Sequence, residues 1–393
     1  MNYPDPTHDM KPARVLTITP FYPSAQDDAN GCFIAEPFPW LEQNGVRNTI
    51  LAVQPLYRGR TRRTDTAPSA AWISYLALPG KSGLAASGVF LYARILSAVR
   101  RLHESQGIDL IHAHAPLPCG HAAALLSREL GIPYVVSVHG LDAFSSANTT
   151  GHAAHWNRRV SEMVYRDARR IICVSRHVRD EILNGMAGQC AASVVYNGVD
   201  PEFFSPGPGF DNPHRTILSI GNLIPTKGHE LLLRAVAELK RTMTDLTCVI
   251  VGDGPERTRL EKIARGLRIS DRTVFAGRQS RTSVAAFLRQ STIFCLPSRY
   301  EGLGCVYLEA MAAGKPAIGC RGQGIEEIIQ HNVNGCLVDS DNVDELAITI
   351  AQLVEDTALT GRIGSAGRRT VLSGFTLSHQ AQRLSELYRE CVA

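Results

Sequence analysis

The chain has 393 residues, of which 44% are hydrophobic and 20% charged, with a formal net charge of +4 and ten cysteines. It is too long for a single core and fits two domains of ordinary size. The mild positive charge gives no case for a nucleic-acid partner, and the cysteines make no C-x-x-C pairs or His/Cys clusters at zinc spacing.

From the N-terminus, Met1 to Pro12 is polar and proline-bearing and lacks the apolar run of a signal peptide. No stretch of about 18 apolar residues occurs, and Cys173, Cys248 and Cys295 fall in apolar, strand-like runs. A cytoplasmic protein in a reducing compartment is therefore expected. Short apolar runs then alternate with longer helical patterns, which predicts parallel sheets built from βαβ units. Strands are expected at 15–19, 49–53, 73–77, 110–113, 134–138 and 170–174. Pro37 and Pro39 are tolerated only in a first helical turn, which sets a helix start near Glu36. Gly83 to Leu102 reads as an amphipathic or largely apolar helix. The strand pattern restarts at 216–220, 247–251, 273–276, 292–296, 317–319 and 335–338. Many of these strands are apolar throughout, as expected when both faces are covered.

Between the halves, Ser205-Pro206-Gly207-Pro208-Gly209-Phe210-Asp211-Asn212-Pro213 has a loop-forming composition and is the expected hinge. The fold class is thus α/β, with two Rossmann-like parallel-sheet domains facing across a cleft. The expected division is a tail (1–13), a first domain (14–204), a linker (205–214), a second domain (215–375) and a final helix (376–393). Ligands of such sheets bind at the carboxyl ends of the strands.

The most informative run is Ser298-Arg299-Tyr300-Glu301-Gly302-Leu303-Gly304-Cys305-Val306-Tyr307-Leu308-Glu309, closed by Gly314-Lys315-Pro316. Two carboxylates stand on either side of a Gly-x-Gly turn that opens a helix expected over 305–313. Glycines at 302 and 304 let the backbone approach a ligand, and the helix start offers free N–H groups and a positive dipole end to an anion. A nucleotide sugar, with sugar, diphosphate and ribose diol in line, has the matching layout. A second run, Gly221-Asn222-Leu223-Ile224-Pro225-Thr226-Lys227-Gly228, follows the first strand of the second half. Its lysine can reach a diphosphate and offset the charge that develops as a glycosidic bond breaks.

The 298–316 run resembles the E-x7-E signature of the GT-B glycosyltransferases of family 4, the retaining, metal-independent sugar transferases, and the similarity extends from about residue 14 to 385. The resemblance implies that Glu301 contacts hydroxyls of the donor sugar, that Glu309 takes the ribose hydroxyls, and that the amides of Gly302, Leu303 and Gly304 meet the diphosphate. It assigns Lys227 to phosphate. In Val136-Ser137-Val138-His139-Gly140-Leu141-Asp142 it places His139 beside the donor sugar, with Asp142 on the acceptor side. Gly31, in the loop after the first strand, resembles the flexible glycine that meets donor phosphate and acceptor, although a loop glycine is as often only a turn. His112 and His114 resemble an H-A-H strand end. His114 fits an acceptor contact and ordinary packing equally, and two histidines make a poor zinc site. Arg278, after the strand 273–276, stands where relatives bind the base through backbone. The final helix would cross back to the first domain.

One departure matters. Many relatives carry an arginine where this chain has Asn222, which can donate a hydrogen bond but no charge. Arg299 and Arg321 are the candidate substitutes. Asp339-Ser340-Asp341 is formally D-x-D, but it follows the last strand in a polar loop, so no metal and no cofactor are expected. Arg58, Arg60, Arg62 and Arg63 precede the 83–102 helix, which ends in Arg100-Arg101. Relatives dock on anionic membrane with such a surface, and loose association with the inner membrane face is expected here.

These readings converge on transfer of a hexose from a UDP- or GDP-linked sugar to a glycan or polyprenol-linked acceptor, with exopolysaccharide or teichuronic-type assembly as the branch of resemblance. A catalytically silent nucleotide-sugar binder is the alternative from another class. A nucleotide-sugar 2-epimerase would need a further carboxylate pair that the chain does not show.

Overall fold

The computed structural model describes residues 13–59, 67–77, 83–140, 151–207 and 215–393. The chain divides into two compact units. One comprises the residues up to Val174, Val178–Val195 and Ser378–Ala393; the other comprises Ser175–His177 and Tyr196–Leu377.

The first unit is built on a seven-stranded sheet of β1 (Ala13–Thr19), β2 (Val46–Pro55), β3 (Ala71–Tyr75), β4 (Leu110–His114), β5 (Tyr134–Val138), β6 (Arg170–Cys173) and β7 (Ala192–Val194). Their order is β3-β2-β1-β4-β5-β6-β7, and every pairing is parallel. β4 and β5 are buried at every residue, so that His112, His114 and Ser137 lie as polar groups among apolar neighbours. Their register sets His112 beside Val135 and His114 beside Ser137. The helix Leu377–Val392 contributes Ala381, Leu384, Leu387, Tyr388 and Cys391 to the core that also holds Val15, Leu110 and Val135.

The second unit carries β8 (Arg215–Ile220), β9 (Leu246–Val251), β10 (Thr273–Gly277), β11 (Ile293–Cys295), β12 (Ala317–Cys320) and β13 (Cys336–Val338). Their order is β10-β9-β8-β11-β12-β13, again parallel throughout. Strand order reverses between β8 and β11, so the segments leaving these two strands lie side by side where open α/β sheets take ligands. The same core buries Cys248, Cys295, Cys320 and Cys336. Burial pushes the Cys248 and Cys320 thiols up to about 12 and that of Cys336 to about 11, so they pack as small hydrophobes.

Two details differ from the sequence expectation. β7 was not expected: it is three residues long, only partly buried, and too short to show an apolar period. The helix expected to start near Glu36 begins at Phe38, with Pro37 as its N-cap and Pro39 in its first turn, and a separate short turn of helix spans Cys32–Ala35. Pro37 has no N–H to continue that earlier turn. Among the described residues, no helix is long and apolar enough to cross a membrane.

Candidate active site

The segment after β11 turns into the helix Cys305–Ala312, whose N-cap is Gly304 at φ 81. A Cβ there would lie 2.5 Å from the Tyr307 ring, so only glycine fits. Tyr307 anchors the helix to the strand: its hydroxyl donates to the Leu296 carbonyl, and its ring meets Phe294 edge-on at 5.4 Å. Just before the helix, the Gly302 carbonyl accepts from Ser175 Oγ at 2.6 Å, and Glu301 N–H donates to Gln323 Oε1 at 2.9 Å. With that carbonyl taken, the peptide groups between are oriented. The amides of Gly302, Leu303 and Gly304 have no acceptor among the described residues.

The segment after β8 brings Lys227 to the same place. It ends the short turn Pro225–Lys227, and Gly228 then caps the helix His229–Leu239. Lys227 Nζ lies 2.5 Å from Glu301 Oε2, with the two side chains 19% and 12% exposed. Ser298 Oγ is 3.5 Å from the same carboxylate oxygen. Two neighbouring segments therefore bring together a cation, a carboxylate and three directed amides.

Glu309 lies further along the helix and is buried. Its partner is Arg281, with Nη1 2.5 Å from Oε1 and side chains 12% and 6% exposed. The guanidinium also stands 4.8 Å from the centre of the buried Phe204 ring. Sequence reasoning missed Arg281. It opens the helix Arg281–Gln290 directly after its N-cap Ser280, and nothing local distinguishes it from a solvated first-turn residue.

The two arginines considered as substitutes at Asn222 are engaged elsewhere. Arg299 pairs with Asp341 at 2.5 Å, and Arg321 pairs with Asp339 at 2.8 Å and Glu345 at 2.7 Å. Both carboxylates of the D-x-D run are thus held by arginines. Asn222 itself is exposed, and so is Arg278, one residue beyond β10.

In the first unit, β4 and β5 bring three histidines together. His112 exchanges hydrogen bonds with Tyr388 Oη and Ser137 Oγ, each at 2.7 Å. The His114 and His112 ring centres are 4.2 Å apart. His114 Nδ1 faces His139 Nε2 at 3.0 Å, with the two rings nearly parallel. Phe33 meets the His139 ring edge-on at 4.9 Å. Burial lowers the His112 pKa to about 3 and that of His139 to about 4, and it holds His114 well below the usual range. All three are neutral near pH 7, so one of the two nitrogens facing each other between His114 and His139 carries the hydrogen. Gly31 caps the Cys32–Ala35 turn at φ 73, where a Cβ would fall 2.4 Å from the Phe21 carbonyl carbon. Asp142, Arg60, Arg62, Arg63 and the 208–214 part of the expected linker lie outside the described residues.

Residues 201–370 match the family described as glycosyl transferases group 1, and residues 39–203 match the one described as glycosyltransferase family 4. An uncharacterized glycosyltransferase of Methanocaldococcus jannaschii is 30% identical over 68% of this chain and 72% of its own length. A GDP-mannose-dependent alpha-(1-6)-phosphatidylinositol monomannoside mannosyltransferase of Mycolicibacterium smegmatis is 29% identical over 75% of this chain and 79% of its own. Among solved structures, Anabaena HepE in complex with UDP and glucose superposes with a TM-score of 0.74 at 20% identity, covering 96% of this chain and 100% of that one.

Proposed function

The chain belongs to the group 1, family 4 glycosyltransferases, and from that premise we propose that it is a retaining, metal-independent transferase. It moves a hexose from a nucleoside diphosphate sugar to a hydroxyl of a glycan or polyprenol-linked oligosaccharide, in cell-surface polysaccharide synthesis. The fold is GT-B. The observation that carries the reading is the contact between Lys227 and Glu301 beside the Gly302–Gly304 amides. A donor diphosphate takes Lys227 and the amides, and Glu301 exchanges its lysine for hydroxyls of the sugar. The bond from the anomeric carbon to the phosphate oxygen then breaks. The acceptor oxygen bonds to that carbon on the same face, and its proton passes to the departing phosphate oxygen. Lys227 offsets the charge on the leaving group, and Glu309 holds the ribose hydroxyls. His139 is assigned to donor-sugar contact and His114 to the acceptor side, both by family resemblance. A HepE structure holding UDP and glucose and a GDP-mannose-dependent relative support a nucleotide-sugar donor.

The test is a panel of UDP-, GDP- and ADP-sugars, scored by thermal shift and turnover with and without EDTA. Stabilisation by one donor, with turnover unaffected by chelator, is expected. A silent sugar-nucleotide binder is the second reading, favoured by Asn222 and by the engagement of Arg299 and Arg321. It would show stabilisation with no turnover on any lipid-linked acceptor. No response to any nucleotide sugar would sink both.

Membrane association is proposed through the helix Leu84–Gln106, which exposes Val89 and Phe90 on a face continued by Arg94 and Arg101. Co-sedimentation with anionic but not neutral vesicles, weakened by Phe90→Glu, is the expected result.

A further inference from the structure

Glu309 is among the most buried charged residues of the second unit, at 4% exposure for the whole residue. Such a group needs a defined counter-charge, and its position is set by that partner as much as by its own rotamer. Arg281 is that partner, and its guanidinium is itself fixed from a second side by the face of Phe204, 4.8 Å away. Phe204 is in turn locked edge-on against Phe203 at 4.9 Å. A planar guanidinium offers a rigid fork where a lysine would offer a mobile point charge. The recorded contact uses Oε1 of Glu309 and one arginine nitrogen, which leaves Oε2 to accept from a vicinal diol.

We propose that Arg281 is a positioning residue that aims the Glu309 carboxylate and thereby sets the selectivity of this enzyme for a ribose over a deoxyribose donor. The proposal rests on the reading above that Glu309 takes the ribose hydroxyls. The ribose is remote from the bond that breaks, so the contact is equal in ground and transition state. It enters donor KM rather than kcat.

The test compares binding of the preferred nucleoside diphosphate and its 2′,3′-dideoxy analogue to the whole chain, with inorganic pyrophosphate as a control. The unsubstituted chain should prefer the ribose form roughly tenfold to a hundredfold, the worth of a hydrogen bond to a charged group. Arg281→Gln should lose most of that preference while keeping pyrophosphate affinity, and donor KM should rise with kcat nearly unchanged. Arg281→Lys keeps the charge without the fork. It should show an intermediate preference, and it carries the test if the glutamine variant does not fold. Undiminished ribose preference in either folded variant would overturn the role of Arg281 while leaving Glu309 in place. No ribose preference in the unsubstituted chain would instead overturn the assignment of Glu309, and this inference with it.

Discussion

Lys227 Nζ sits 2.5 Å from Oε2 of Glu301, so the residue assigned to donor phosphate and the residue assigned to donor sugar are each other's partner. Lys227→Ala should lower kcat by about 10²–10³, the usual cost of one electrostatic contact to a developing oxyanion. Glu301→Ala should lower transfer at least as far. Because the two groups touch, their effects on stability should couple by about 0.5–3 kcal/mol in a double-mutant cycle. Additive stabilities, or full activity in both single variants, would contradict the assignment.

Arg299 and Arg321 are bound to Asp341, Asp339 and Glu345, which leaves Asn222 without a substitute cation from either. Asn222→Arg should therefore raise kcat by about tenfold through better leaving-group stabilisation, whereas Arg299→Ala and Arg321→Ala should leave it nearly unchanged. Loss of activity in the two alanine variants, with no gain in the arginine one, would show that one of these arginines reaches the donor after all.

The histidine cluster fixes a direction for acid stability. His112 and His139 titrate near 3 and 4 in the folded chain, against about 6.5 when unfolded. As pH falls below about 6.5, the unfolded chain binds protons that the folded chain refuses, so stability drops on the way toward pH 4. His112 alone can contribute a slope of up to about 1.4 kcal/mol per pH unit. Urea unfolding between about pH 6.5 and pH 4.5 should show this fall, and His112→Asn should flatten it. An unchanged slope in that variant would mean that other groups carry the acid sensitivity.

Gly31→Ala should be destabilising. Its positive φ costs about 1–3 kcal/mol for a non-glycine residue, and the new methyl meets the Phe21 carbonyl carbon at 2.4 Å. A lowered Tm is expected whatever the residue does for the donor. An unaltered Tm would mean that the 21–31 loop relaxes around the change.

Much of the architecture was legible because a strand covered on both faces tends to be apolar along its length, and the runs at β11 and β13 are. The turn-helix around Glu301 was equally visible, since Gly304 and the apolar helix behind it leave few alternatives. What the sequence did not show are partnerships between distant positions. Arg281 and Glu309 are 28 residues apart, and His112 and Tyr388 are 276 apart. Neither pair lies on a shared helical or strand period, so only the folded chain brings them together. Glu327 is a further case. Its carboxylate accepts from the His177 amide at 2.6 Å and the Tyr196 hydroxyl at 2.7 Å, and the second of two adjacent glutamates past β12 gives no sign of that.

The helix Leu377–Val392 has a consequence for how the protein is made. Residues 378–393 belong to the first unit, so the last of that unit's three stretches is separated from the others by nearly all of the second unit. On the ribosome, the second unit's stretch emerges in full before Leu384 and Tyr388 can close over Val15, Leu110 and Val135. The first unit must wait, with an apolar face uncovered, until that helix has been made. A fragment halted at Val195 would keep that face open for good, a standing invitation to aggregate.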